Sequence, residues 1–458
     1  MKFSQTPSSL LCSLIASAGM AQAAIIINVD QPDTLKSAAS TIAHGMVSYY
    51  TGNRTGDVPG NLPAPYYWWE AGAMFGSLVD YWYYTGNTEY NEITTQALLF
   101  QTGPNADYMP PNQTKTLGND DQSFWALAAM SAAEVNFPNP PADKPQWLAL
   151  AQAVFNTQAP RWDSSTCGGG LRWQIFTFNN GYNYKNTISN GCFFNLAARL
   201  GRYTGNTTYL ENANKMWDWT EAVGLMSNDY HFYDGTDDTI NCTQLNHIQW
   251  TYNAGVYLLG AATMYNILKS TEGSADQAKW KTRVEGIIKG LDVFFEKDIM
   301  KEVACEDNGK CDVDQRSFKA YLARWMAAST KLAPFAHDPI MKYLRASAVG
   351  AAASCTAGTD QNQCGLKWTL GSNDGSMGVG EQMSALEVIQ SNLIDQVAGP
   401  VTNSSGGTSK GNNAAGSNSN DNPSTYNAIT GGDKAGAGIL TTFILVLLFG
   451  GAWWMALK

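Results

Sequence analysis

Apolar residues recur at helical spacing along most of the chain, with glycine, asparagine and proline breaking the pattern between segments. Runs that alternate apolar and polar positions never exceed a few residues, so the pattern gives little sign of strands. The spacing therefore predicts an all-α protein. The predicted helices are 34–50, 67–84, 88–102, 120–135, 145–157, 185–202, 207–224, 249–269, 276–298, 315–331, 337–353 and 378–396.

The predicted helices alternate in character. The fourth, 120–135, has almost no charge after its first turn, whereas the ninth, 276–298, is rich in Lys, Asp and Glu, which fits an inner and an outer layer. Long loops lead into every even-numbered helix and short turns into the odd ones, so the even helices begin at one end of the molecule. This layout predicts an (α/α)6 barrel, a ring of six helical hairpins. An open superhelix of hairpins would show the same alternation.

A short repeat supports the hairpins. Tyr84-Thr85-Gly86-Asn87 recurs as Tyr203-Thr204-Gly205-Asn206, each time between two predicted helices. Glycine suits the left-handed position that ends a helix, and the asparagine after it can cap the next one. Both copies are predicted to be tight helix-to-helix turns.

Polar and aromatic clusters open the even helices, and the most suggestive is Asn119-Asp120-Asp121-Gln122. Asn119 is a plausible N-cap, and acids in a first helical turn are common for purely structural reasons. Two neighbouring carboxylates are also the apparatus of glycoside hydrolysis, in which one protonates the leaving oxygen and the other stabilises or attacks the anomeric carbon. The helix N-terminus lowers both pKa values, while repulsion between Asp120 and Asp121 keeps one protonated.

Other residues near the same ends of helices are candidates to bind a sugar. Aromatic rings can stack on pyranose faces, and polar side chains can bind hydroxyls or a phosphate, although each is also explained as core, cap or solvated surface. The aromatic candidates are Trp68, Trp69, Trp173, Trp250 and Tyr252. The polar candidates are Gln122, Lys185, Asn186, Gln249, Asn253 and Lys319.

Charge and composition narrow the function. The formal net charge is −10 without a long basic run, which argues against nucleic acid as a partner. The same acidity disfavours a lyase acting on uronates, which would need a cationic cleft. Abundant aromatic residues suit a neutral sugar ligand. Neither the cysteines nor the four histidines have metal-ligand spacing, so we expect no metal and no cofactor.

Both ends of the chain carry processing signals. Residues 1–23 contain a short apolar run that ends in Ala21-Gln22-Ala23, which predicts a secretory signal peptide. We expect a catalytic domain at 24–400, a flexible Gly/Ser/Asn-rich stalk at 401–432 and a GPI-anchor signal at 433–458 that is removed. A single-pass helix is the alternative for the last segment. The sequence thus predicts a secreted protein held by lipid at the outer face of the plasma membrane.

Secretion makes disulfides plausible. Cys305 with Cys311 and Cys355 with Cys364 are close enough to clip local loops, and two of Cys167, Cys192 and Cys242 can pair and leave one free. Sequons predict surface glycosylation sites. They occur at Asn53, Asn112, Asn206, Asn241 and Asn403.

Several motifs together resemble fungal members of glycoside hydrolase family 76, the mannan endo-1,6-α-mannosidases of the GPI-anchored cell-wall type. The resemblance runs over roughly 30–397. Its motifs are Asn119-Asp120-Asp121-Gln122, Gly168-Gly169-Gly170-Leu171-Arg172-Trp173-Gln174, Tyr184-Lys185-Asn186-Thr187-Ile188-Ser189-Asn190-Gly191, Gln249-Trp250-Thr251-Tyr252-Asn253-Ala254-Gly255 and Ala323-Arg324-Trp325-Met326.

The resemblance implies an (α/α)6 barrel and a retaining mechanism, with Asp120 as nucleophile and Asp121 as general acid/base. It implies α-1,6-linked mannose as the glycan. For fungal members it implies a transglycosidase that cleaves the mannose core of GPI-anchored proteins and passes the remnant to wall β-glucan. Three alternatives remain: a simple endo-α-1,6-mannanase that hydrolyses its substrate, a non-catalytic mannan-binding scaffold of the wall, and another (α/α)6 enzyme such as a uronate lyase.

Overall fold

The computed structural model describes residues 25–417 and 430–456, so the predicted signal peptide lies outside the described residues. The described domain is mostly helical, and its helices lie close to the predicted ones. They are α1 (Pro32–Val47), α2 (Trp68–Thr85), α3 (Asn91–Phe100), α4 (Asn119–Glu134), α5 (Trp147–Gln158), α6 (Thr187–Thr204), α7 (Thr207–Ala222), α8 (Thr251–Ile267), α9 (Ala275–Gly290), α10 (Phe318–Leu332), α11 (His337–Ser354) and α12 (Val379–Gln390).

The even-numbered helices form a closed ring. Each of them packs against the next even helix, and α12 packs against α2, while the odd helices pack outside. Closure confirms the predicted (α/α)6 barrel and excludes the open superhelix, in which the first and last hairpins would not meet.

The composition of each layer follows from its position. In α4 nearly every residue is buried, whereas α9 buries one face and leaves its charged face in solvent. Gly72 shows how closely the inner helices approach, because a Cβ there would lie 2.7 Å from the ring of Trp125 on α4. The predicted turns also form as expected: Gly86 ends α2 and Gly205 ends α6, both in the left-handed conformation.

Long loops cover the end of the ring where the even helices begin, and they contain short strands that the pattern did not predict. β1 (Tyr184–Asn186), β2 (Gly235–Asp237) and β3 (Leu245–Asn246) form an antiparallel sheet, with Lys185 opposite Thr236. The predicted start of the sixth helix at Lys185 is therefore too early, because pairing with β2 keeps Lys185 extended, while Asn186 ends β1 and is the N-cap of α6. The predicted ninth helix also ends early, and β4 (Phe295–Glu296) and β5 (Ile299–Met300) form a hairpin after it.

Three disulfides clip these loops: Cys167–Cys242, Cys305–Cys311 and Cys355–Cys364. Cys192 is the free cysteine of the described part of the chain and is buried in α6. The two local pairs are confirmed, and the structure chooses among the three remaining cysteines. Four sequon asparagines are exposed and Asn206, which caps α7, is half-buried.

The C-terminal region differs from the predicted flexible stalk. Residues 401–417 pack against the barrel through backbone and side-chain hydrogen bonds, so the described domain extends beyond the expected boundary at 400. The last described element is α13 (Gly431–Ala456), an exposed apolar helix whose segment Gly431–Trp453 is long and apolar enough to cross a membrane.

Candidate active site

The N-terminal ends of the inner helices surround a cleft with two adjoining lobes. The small lobe holds about 170 Å³ and the large lobe about 640 Å³, and they share Trp69, Asp121, Trp173 and Asp314. The small lobe is also lined by Asp120, Phe124, Tyr184, Asn186, Asp234, Tyr252 and Phe318. The two predicted catalytic acids therefore lie together at the bottom of a cleft, as a glycosidase requires.

Backbone geometry at the start of α4 fixes both acids. The N-cap of α4 is Gly118, not Asn119. The backbone N–H of Gly118 donates a hydrogen bond to Asp121 Oδ2 at 2.7 Å. Asp120 Oδ1 accepts from the N–H of Asp121 at 3.0 Å, and its Oδ2 accepts from Asn186 Nδ2 at 3.3 Å. The cap predicted at Asn119 is corrected, because that side chain instead donates to the carbonyl of Arg172.

Gly118 lies between the two carboxylates. A Cβ placed on it would be 2.3 Å from Asp120 Oδ1 and 3.2 Å from Asp121 Oδ2. The two oxygens consequently lie no more than about 5.5 Å apart, which is closer than the roughly 6.5–9.5 Å of inverting glycosidases and compatible with a second carboxylate that acts as a nucleophile. Any side chain at position 118 would occupy the space between the acids.

Burial makes both acids hard to ionise. It raises the pKa of Asp120 to about 7, against hydrogen bonds from the Asp121 N–H and from Asn186 that favour the carboxylate. Burial also raises the pKa of Asp121 well above its usual value, and the neighbouring Asp120 charge raises it further. Ionisation of one acid therefore makes the other harder to ionise, so the pair can keep one proton after it has lost the first. Asp120, with hydrogen bonds to both oxygens, is the better placed of the two to carry the negative charge.

Two further acids line the small lobe and were not among the predicted site residues. Asp234 accepts hydrogen bonds from the Tyr184 hydroxyl at 2.6 Å and the Trp250 indole N–H at 2.9 Å, and burial raises its pKa. Asp314 stands where the lobes meet, and burial raises its pKa too. The sequence could have indicated Asp314, because it lies just before the predicted tenth helix. Asp234 lies in a loop that carries no comparable pattern.

Aromatic side chains form much of the cleft wall. Trp69 and Trp173 border both lobes, Trp68 borders the large lobe, and Tyr252 stacks on Phe318 with ring centroids 3.9 Å apart in the small lobe. The structure thus brings these predicted rings together at the cleft. Trp250 is the exception, because it lies behind the lining and supports Asp234.

The structure does not bring Lys185, Lys319 or Gln122 to the cleft. The Lys185 ammonium is fully buried and donates to the carbonyls of residues 163, 166 and 169, which fixes the preceding loop. Lys319 pairs with Glu306 at 2.8 Å inside the protein. The Gln122 amide donates to the carbonyl of Asp107. Their predicted role in substrate binding is corrected, because these polar atoms satisfy buried groups of the protein instead.

The remaining polar candidates differ from one another. Asn186 lines the small lobe and also caps α6 through the Ser189 N–H at 3.3 Å. Asn253 is buried one residue behind Tyr252, and Gln249 is half-buried outside the lining of either lobe. Of these three, Asn186 alone lines the cleft.

Other features of the surface fit less well. A shallower groove of about 940 Å³ lies beside the Cys167–Cys242 disulfide, but its lining contains none of the acids of the cleft. Within residues 25–417 and 430–456, no group of three or more His, Cys, Asp or Glu side chains is arranged to hold a metal ion.

Comparison with known proteins agrees with this geometry. The family model described as glycosyl hydrolase family 76 matches residues 34–404. The chain is 48% identical to the mannan endo-1,6-alpha-mannosidase DCW1 of Eremothecium gossypii over 94% of each chain. A crystal structure of Dfg5 from Chaetomium thermophilum in complex with glucosamine is 46% identical, with a TM-score of 0.83 over 87% of this chain and 99% of that one.

A more distant structure supports the fold alone. It is an inactive variant of an α-1,6-mannanase from Salegentibacter sp. in complex with α-1,6-mannotriose. It is 16% identical, with a TM-score of 0.61 over 78% of this chain and 99% of that one. The ring of helical hairpins is thus shared even where little of the sequence is.

Proposed function

Since this chain belongs to glycosyl hydrolase family 76, we propose that it is a retaining α-1,6-mannan-active glycosidase and transglycosidase of the cell surface. Its donor is an α-1,6-linked mannose glycan, in particular the mannose core of GPI-anchored proteins, and its acceptor is wall β-glucan. Mannan-active relatives that match over most of their length support the substrate class.

The observation that carries the proposal is the close approach of Asp120 and Asp121 around Gly118. Carboxylate oxygens no more than about 5.5 Å apart leave too little room for a water between the sugar and the second carboxylate, so that carboxylate attacks the anomeric carbon directly. A covalent glycosyl-enzyme intermediate follows. Water then releases a free sugar, whereas a sugar hydroxyl gives transfer.

The hydrogen bonds support one assignment of the two roles. Asp120 receives a donor on each oxygen and serves as the nucleophile, because those donors favour its ionised form. Asp121 keeps the shared proton and gives it to the leaving oxygen, then accepts a proton from the incoming hydroxyl. Aromatic rings line both lobes beside the acids and can stack on an acceptor sugar, which supports transfer to a bound acceptor over hydrolysis.

The acidic lobe also bears on the donor. Asp120, Asp121, Asp234 and Asp314 all line it and no Lys or Arg of the described residues does, so any of them that ionises gives the lobe a negative field, and an ammonium group on the glycan would strengthen that field by lowering their raised pKa values. The Chaetomium thermophilum relative was crystallised with glucosamine. An amino sugar next to the mannose chain of the donor would meet this field.

The same proposal places the protein on the outer face of the plasma membrane. Three disulfides suit the oxidising secretory route, and the apolar α13 fits a GPI-anchor signal that is replaced by lipid. Release of the protein from intact cells by a phosphatidylinositol-specific phospholipase distinguishes the anchor from a single-pass helix, which would stay in the membrane.

The direct test incubates residues 24–417 with a synthetic α-1,6-mannoside that ends in glucosamine, together with a β-glucan oligosaccharide. Mass spectrometry then identifies the products. We expect a mannosyl-glucan conjugate with retained anomeric configuration. A free reducing end alone would leave a hydrolase and refute transfer.

The control is Asp120→Asn in the same domain. An enzyme loses turnover in vitro and its function in cells, whereas a mannan-binding scaffold keeps its function in cells. Absence of turnover by the folded wild-type domain would refute the enzymatic proposal.

A further inference from the structure

Residues 401–417, here called the strap, begin at the end of the barrel opposite the cleft, here called the closed end. The N–H of Val401 donates to the carbonyl of Glu134 at 2.8 Å, and the N–H of Asn403 donates to that of Tyr203 at 2.9 Å. These carbonyls belong to the C-terminal ends of α4 and α6, which lie opposite the cleft. The strap therefore starts at the far side of the domain from the catalytic acids.

From there the strap follows the outer side of α5 toward the cleft. Ser409 Oγ accepts from the N–H of Leu148 at 2.9 Å, and the Asn156 amide donates to the carbonyl of Ala415 at 2.8 Å. Eight helical residues separate these two positions, a rise of about 12 Å. Gln158, just beyond, donates to the carbonyl of Asn119 at the start of α4. The strap thus ends level with the helix turn that carries the catalytic acids.

Glycines keep the strap in contact with the barrel. A Cβ at Gly407 would lie 2.3 Å from the Tyr203 hydroxyl, and one at Gly411 would lie 2.7 Å from Gln152 Oε1. The N–H that follows Gly411 donates to the same Gln152 oxygen at 2.6 Å. The small residues of this segment therefore permit close packing and are not a sign of a linker.

Docking of the strap shortens the tether between the domain and the predicted anchor. With about 3.4 Å per extended residue, residues 418–432 span at most about 50 Å. A free chain from 401 to 432 would span about 110 Å. The strap also moves the point of departure from the closed end to the side of the barrel, near the open cleft.

We propose that the strap restricts this protein to membrane-proximal substrates, namely α-mannosides carried by neighbouring lipid-anchored glycoproteins, and away from mannan deep in the wall. The inference rests on the proposed function in two respects, the lipid anchor near residue 432 and the activity on α-mannosides. A short tether raises the effective concentration of the cleft toward glycans at the same membrane surface.

The test inserts a twenty-residue Gly/Ser segment after Ser417 in the full anchored chain, with a two-residue insertion as the matched control. The insertion lengthens the tether from about 15 to about 35 residues, which lowers the effective concentration of the cleft at the membrane surface about three- to fourfold. We expect a decrease of that size in processing of an α-1,6-mannoside anchored in the same vesicle. Cleavage of the same mannoside free in solution should not change. Equal rates on the anchored mannoside for both insertions would overturn the proposal.

A second measurement does not depend on catalysis. A dye on Asp57→Cys, an exposed position in the loop that leads to α2, reports energy transfer to a lipid dye in the vesicle. We expect lower transfer after the twenty-residue insertion than after the control, and unchanged transfer would refute the short tether. Hydrogen exchange at Val401 and Asn412 tests the strap itself. Their amides should be protected in the wild type and exposed in Gly411→Leu, and rapid exchange in the wild type would overturn the docking.

Discussion

The substitution Asp120→Asn should abolish catalysis and stabilise the fold at neutral pH. Burial raises the pKa of Asp120 to about 7 from its usual 3.8. Each pKa unit corresponds to about 1.4 kcal/mol, so the ionised side chain costs the fold up to about 4 kcal/mol at pH 7 and above. Asparagine keeps an oxygen for the Asp121 N–H and removes the charge. Asp121 remains in the variant and keeps part of the cost of ionising the pair, so the expected gain in the free energy of unfolding is about 2–4 kcal/mol.

The sign of the pH dependence is fixed by the direction of the shift. Below pH 3.8 Asp120 is protonated in both the folded and unfolded states, so the substitution changes little. Between pH 4 and 7 the unfolded chain loses the proton first, so wild-type stability falls as pH rises, while the variant is spared this loss. A domain of this size unfolds with an entropy of about 0.8 kcal/mol/K, so Tm should rise by about 2–5 °C at pH 7.5.

Calorimetry of both proteins at pH 4 and pH 7.5 measures this difference, and turnover of an α-1,6-mannoside should fall at least about 10³-fold in the same preparation. The matched control is Asp143→Asn, an exposed carboxylate away from the cleft, which should change neither property. An unchanged or lower Tm at pH 7.5, or an equal gain at pH 4, would refute the assignment of Asp120 as a buried, reluctantly ionised group.

Three further predictions concern neighbouring residues. Gly118→Ala should lower kcat/KM by about 10²-fold or more without unfolding the domain, because the new Cβ displaces the Asp120 carboxylate. Steady-state kinetics measures this, and near-wild-type activity would contradict it. Asp314→Asn should shift the alkaline limb of the pH–rate profile to lower pH, because it removes a negative charge that raises the pKa of Asp121. An upward shift would contradict this. Lys185→Met should lower the free energy of unfolding by about 3 kcal/mol in thermal unfolding, because it removes the buried ammonium that holds the loop before β1. A raised KM with an unchanged Tm would contradict this and would indicate that Lys185 contacts the substrate.

The barrel was predictable because its signal is repeated. Six hairpins each place an apolar helix after a long loop, and errors in one hairpin leave the other five to indicate the ring. Closure of the ring was not predictable, because an open superhelix has the same local pattern. It depends on α12 packing against α2, which no local feature of either helix reports.

The site was predictable where function and helix position coincide. Asp120 and Asp121 begin a helix, and their roles came with the resemblance of several motifs. Lys185 and Lys319 misled the prediction because a lysine at the start of a helix gives no sign of whether its ammonium will find carbonyls inside the protein. Asp234 was missed because its place beside Tyr184 and Trp250 results from loop pairing in the sheet.

The strap shows the same limit in a segment of simple composition. Gly, Ser and Asn are typical of linkers, and nothing in 401–417 is apolar enough to predict docking. The contacts depend on backbone groups and on the absence of side chains, as at Gly411, and these are invisible to a hydrophobic pattern.

Closure of the ring also has a consequence for biogenesis. The Gln390 amide of α12 reaches the carbonyl of Ser77 on α2 across 313 residues of sequence, at 3.3 Å. Because a chain is synthesised from its N-terminus, the apolar flank of α2 waits for its partner until almost the whole domain has entered the secretory lumen. Such distant contacts make folding slow and leave the early hairpins exposed to aggregation. Maturation of this protein should therefore depend strongly on lumenal chaperones that cover the first hairpin until the last one arrives.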